Sequence, residues 1–67
     1  MTGPEYLATI ARLGISGPKA AELFGYTRQI HYSTWQKVGP PFAVAAWLRY
    51  MVEKGITPEK IRALGSN

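Results

Sequence analysis

Arg28 and Gln29 stand side by side, Tyr32 and Ser33 follow one helical turn later, and Lys19 and Lys37 lie to either side. These residue types share one chemistry. An arginine guanidinium can bind guanine O6 and N7 through two parallel hydrogen bonds, a glutamine amide can do the same with adenine N6 and N7, and tyrosine or serine hydroxyls reach phosphates or base edges. Thr27, just ahead of them, would bring a hydroxyl and backbone amides to a phosphate if it starts a helix. The lysines suit backbone contacts. On an isolated helix such a face is ordinarily just solvated, so the elements that carry it decide the reading.

Other chemistries find little material. His31 has no second histidine and no cysteine to share a metal, and it reads as a packed or hydrogen-bonded side chain. No cofactor or metal site is expected. Glu5, Glu22, Glu53 and Glu59 each fall where helix capping or an ion pair explains them, with Glu53 four residues after Arg49. Without a phosphate-binding glycine loop or a nucleophile beside a base, the chain reads as a non-enzyme. Trp35 and Trp47 read as core residues rather than base-stacking platforms, because tryptophan contributes so much buried area.

Size and charge narrow the class. A chain of 67 residues is read as one domain, 1–67, and a domain this short buries only about 60% of the surface its unfolded chain exposes. A hydrophobic fraction of 46% is too high for disorder and sufficient for a small core. With no cysteine, no disulfide can supplement that core, so helix packing or self-association must hold it. A formal charge of +4 favours polyanionic partners through counterion release. Neither a signal-peptide pattern nor a long apolar span is evident. The expectation is therefore a soluble cytoplasmic protein, not in the membrane, and at the nucleoid when bound to DNA.

Helix starts and glycine stops divide the chain into an expected compact all-α bundle of about five short helices. Residues 4–13 open with Pro4 and Glu5 and end at Gly14, with Leu7, Ile10 and Ala11 as the core stripe. Ser16 caps a second helix that has Pro18 in its first turn and stops at Gly25, with Ala20, Ala21, Leu23 and Phe24 apolar. After a turn of about three residues, Thr27 is read as the cap of helix 28–37, which ends before Gly39-Pro40-Pro41. Helix 41–54 has apolar residues on more than one face, so Trp47, Tyr50 and Met51 are candidates for a homodimer interface. Helix 58–64 begins at Thr57-Pro58-Glu59 and stops at Gly65, with Ser66 and Asn67 as a frayed end.

Two short helices joined by a glycine-containing turn form the helix-turn-helix unit, here spanning about 16–37, in which the second helix enters the major groove. Ala21 is small where the helices cross, and Gly25 supplies positive φ in the turn. The stretch from Gly14 to Arg28 resembles the helix-turn-helix core of Cro-like and phage-repressor-like regulators, and Trp35, Pro40-Pro41 and the apolar helix after them are similar to the continuation in small regulators of phages and mobile elements. The resemblance covers about residues 10–51. It implies a homodimeric, sequence-specific regulator of transcription, a repressor or an activator, on double-stranded DNA.

The chain departs from that family at Gly17-Pro18, where the family often has a phosphate-holding glutamine, and at His31, where it usually has a β-branched core residue. Two registers follow for helix 28–37. In the family register His31 and Thr34 face inward, and Arg28, Gln29, Tyr32 and Ser33 face the DNA. With Ile30 buried instead, the outward set becomes Arg28, Gln29, His31, Tyr32 and Gln36. Two alternatives stay open: an excisionase-like factor that bends DNA, and an antiactivator module that uses its apolar helix to bind a protein partner.

Overall fold

Residues 1–65 are described by a computed structural model, so Ser66 and Asn67, expected to fray, lie outside the described residues. Five helices follow one another: α1 (Gly3–Leu13), α2 (Gly17–Leu23), α3 (Gln29–Val38), α4 (Phe42–Lys54) and α5 (Pro58–Gly65). No strand occurs among the described residues. No helix is long and apolar enough to cross a membrane.

Local chemistry sets most of the boundaries. At the start of α1, Thr2 Oγ1 accepts from the Glu5 amide at 3.2 Å and Glu5 Oε1 accepts from the Thr2 amide at 2.9 Å, a reciprocal capping box. This cap starts the helix at Gly3, one residue earlier than Pro4. Ser16 and Thr57 do the same work once each, accepting from the Lys19 and Lys60 amides at 3.3 and 3.2 Å. The last helix runs through Gly65 rather than stopping before it.

The start of α3 differs from expectation. Thr27 does not cap it: Arg28 occupies the flanking position with extended backbone and no side-chain cap, and the connection from α2 spans residues 24–28. The cause lies at Tyr26. After Gly25 turns the chain at φ +86°, the Tyr26 amide donates to the Ala21 carbonyl at 2.9 Å and its ring packs inward, and the next helix begins only after the extended Arg28.

The core is one cluster of Tyr6 and Ile10 from α1, Ala20 and Ala21 from α2, Trp35 from α3, and Val44 and Leu48 from α4. Around it α1 packs against both α3 and α4, while α2 sits against α1, α3 and α5. In α1 the buried stripe is Tyr6 and Ile10, with Leu7 and Ala11 exposed, one residue away from the expected Leu7, Ile10 and Ala11. Tyr6 wins that place because its ring meets Trp35 edge to face at 5.9 Å.

Helix α4 divides its apolar residues between two sides. Val44, Ala45, Leu48 and Met51 are buried, recurring at helical spacing, whereas Phe42, Trp47 and Tyr50 are exposed.

Candidate nucleic-acid interface

Trp35 is the anchor that sets the rotation of α3. It is 4% exposed, and the Tyr26 ring stands edge to face against it at 5.0 Å and against His31 at 5.1 Å. His31 and Tyr32, one turn before Trp35, are consequently half-buried, with Tyr32 packed against the core cluster. Ile30 is 64% exposed, so the register that buries it is corrected. The Tyr26 ring covers one side of His31, which takes the half-buried position on the helix.

The register that turns His31 inward is itself adjusted in two places. Thr34 is exposed instead of inward, its Oγ1 donating to the Ile30 carbonyl at 2.8 Å, which satisfies the hydroxyl without a core partner. Tyr32 sits at the boundary between core and solvent because its ring completes the packing around Trp35. Of the residues singled out by sequence, Arg28, Gln29 and Lys37 are exposed, Ser33 is half-buried, and Thr27 is exposed just ahead of the helix. Lys19 is exposed in the first turn of α2.

Gly17 lies where these two helices meet. A Cβ there would stand 2.9 Å from Gln36 Nε2, the far end of a flexible side chain that can turn aside, so the start of α2 lies against the end of α3 without depending on the glycine. This contact brings Lys19, two residues along α2, and Lys37, next to Gln36, to the same end of the helix pair.

The surface so assembled has a one-sided charge. Between Glu22 and Glu53 there is no acidic residue, and Arg28, Lys37 and Arg49 are the charged residues in that stretch. Among the described residues the ion pair is Arg49 with Glu5 at 3.9 Å, both well exposed, rather than Arg49 with Glu53 along α4. Lys19, Arg28 and Lys37 are in no ion pair among the described residues. No group of three His, Cys, Asp or Glu able to hold a metal is found there either.

Ile30 is the residue of this face that the sequence reading left out. Its apolar type placed it among core candidates, and only the stacking of Tyr26 on His31 and Trp35 reveals the rotation. It lies on the outward stripe with Ser33, Thr34 and Lys37.

The candidate dimer residues separate. Met51 is fully buried and is removed from any surface contact, because the inward stripe of α4 runs through it. Trp47 and Tyr50 remain outside, with rings edge to face at 5.6 Å and, with Ala46, lining a shallow apolar depression of about 360 Å³. Phe42, at 88% exposure, joins that face. Its spacing of four residues before Ala46 and eight before Tyr50 was the available signal.

Comparison with protein-family models, curated proteins and solved structures gives no match to this chain.

Proposed function

We propose that the chain is a sequence-specific DNA-binding regulator of transcription in which α2 and α3 act as a helix-turn-helix, α3 lying in the major groove. The observation that carries this reading is the outward face of α3: polar and cationic residues free of any acid, set by a turn at Gly25 and by close packing at Ala20 and Ala21. The net charge of +4 supports it through counterion release.

Roles follow from chemistry. Arg28 binds guanine and Gln29 binds adenine through paired hydrogen bonds, while Ile30 offers an apolar contact to a thymine methyl. Ser33 and Tyr32 reach base edges or phosphates from the rim of the face. Lys19, Thr27 and Lys37 hold the phosphate backbone on either side and fix the register of the helix in the groove. The active species is a homodimer on a two-fold symmetric operator.

Selection of bound sequences from a random duplex pool tests the reading. Enrichment of one sequence family, palindromic if the dimer binds, with affinity falling as salt rises, is the expected result. Failure to shift any duplex at low salt, where phosphate contacts are strongest, overturns it.

A further inference from the structure

Helix α4 has a second apolar face that stays exposed among the described residues. Phe42 is 88% exposed, Trp47 48% and Tyr50 46%, and the exposed alanines Ala43 and Ala46 lie among them. We propose that two copies of this chain associate through this face, with their α4 helices antiparallel about a two-fold axis passing near Ala43 and Ala46. In making the contact part of a DNA-bound dimer the inference rests on the reading above; the contact itself stands on separate observations.

Shape comes first. Phe42 projects from the start of the helix, and the apolar depression of about 360 Å³ lined by Ala46, Trp47 and Tyr50 lies farther along the same side. Knob and hollow are separated by roughly 8 Å, five or six residues at the rise of an α-helix. A parallel pair would set Phe42 against Phe42. An antiparallel two-fold pair seats each Phe42 in the other copy's hollow, the self-complementarity that an isologous interface requires. Halfway between them fall Ala43 and Ala46, small enough for the helices to approach at the short end of the usual 8–10 Å.

Charge selects the same occupant. A chain of net charge +4 repels its own copy over most of its surface, but no ionisable side chain occurs from Val38 to Leu48. Arg49 and Glu53 border the face beside Phe42 and Tyr50, and Arg49 is held by Glu5 at 3.9 Å, so the rim carries both signs of charge. Two copies can meet over the apolar centre without single-sign repulsion, and no single-sign patch is offered to an acidic partner or a nucleic acid.

Area sets the strength. At ~200 Å² for an aromatic side chain, the exposed parts of Phe42, Trp47 and Tyr50 amount to roughly 700 Å² over two copies, to which the alanines and the rim add. That is below the ~1,200 Å² at which stable interfaces begin. The dimer is weak alone and is populated when two copies occupy adjacent half-sites. Because α1 packs between α4 and α3, each α3 lies within two helix spacings of α4, so the pair spans at most roughly 40–50 Å. Half-sites about 34–36 Å apart fall inside that reach.

Sedimentation of the wild-type chain and of Phe42→Glu and Ala46→Arg, from micromolar to millimolar concentration, tests the contact. Both substitutions are at exposed positions, and unchanged thermal melts verify that each variant folds. The wild type is expected to pass from monomer to dimer across the range, and both variants to stay monomeric. On a duplex with two selected half-sites, Phe42→Glu should lose about tenfold in cooperativity, an ordinary size for coupling between sites, with single-half-site affinity unchanged. A wild type that stays monomeric and binds two half-sites independently overturns the proposal, as does a dimer that survives both substitutions. If no duplex is bound but the concentration-dependent dimer is lost in Phe42→Glu, the DNA reading fails and the α4 contact stands.

Discussion

At the scale of single residues, the contrast between Arg28 and Tyr6 separates function from stability. Arg28 is exposed and in no ion pair among the described residues, so its removal should leave the fold unchanged. In a titration of the selected operator, Arg28→Ala is expected to weaken binding by about 1–3 kcal/mol and to relax preference at one base pair. Unaltered affinity would take Arg28 out of the reading set. Tyr6 is fully buried and its hydroxyl has no hydrogen-bond partner among the described residues, with burial pushing its phenol pKa up from 10.0. Tyr6→Phe removes that unsatisfied group, so chemical denaturation at neutral pH should find stability equal or higher by up to about 1 kcal/mol. A raised native pKa favours the fold below the unfolded value of 10.0 and is lost as pH climbs through the native one. The variant's stability should accordingly decline less steeply above pH 10.0 than the wild type's. Which residues of α3 have side chains able to read a base is legible from type alone; the rotation of the helix is not. Whether Ile30 or His31 turns inward depends on the Tyr26 ring packing against both His31 and Trp35, a contact between segments that no local pattern encodes.

At the scale of helices, starts and stops were read well wherever a side chain bonds its own next turn. Ser16 and Thr57 are such cases. Thr27 failed because a tertiary demand, the inward packing of Tyr26, overrode a good local cap. The two outcomes make a matched test: Ser16→Ala should cost about 1 kcal/mol in a denaturant titration, and Thr27→Ala nearly nothing. An equal cost would return Thr27 to a capping role. In α1, the Thr2 amide and then the Thr2 hydroxyl hold the Glu5 carboxyl below its ordinary 4.5. A lowered native pKa stabilises above the unfolded value and is lost as pH falls through the native one. Glu5→Gln keeps an oxygen acceptor without the titration, so urea melts at pH 6 and pH 3 should differ less in the variant than in the wild type.

For the molecule as a whole, the sequence was enough for an all-helical bundle with five elements, because caps, glycines and apolar spacing agree. It did not reveal how α4 apportions its apolar residues. Composition marks the helix as apolar all round, but only packing against α1 decides that Leu48 and Met51 turn in and Phe42 and Trp47 turn out. The molecule measures 30 × 25 × 19 Å, and in so small a body Leu48, fully buried, has no second shell to collapse around it. Leu48→Ala should cost about 2–5 kcal/mol, enough to unfold much of the population, and circular dichroism would record the loss of helix. A melt close to that of the wild type would contradict the single shared core.

The sealed hydroxyl of Tyr6 has one more consequence. A phenol at 0% exposure is shielded from hydroxide while the core is closed, so its ionisation becomes a clock for opening. After a rapid jump to high pH, the absorbance of one tyrosine's phenolate should arrive in a slow phase that vanishes in Tyr6→Phe. Its rate would be the rate at which native molecules breathe, read without label or denaturant.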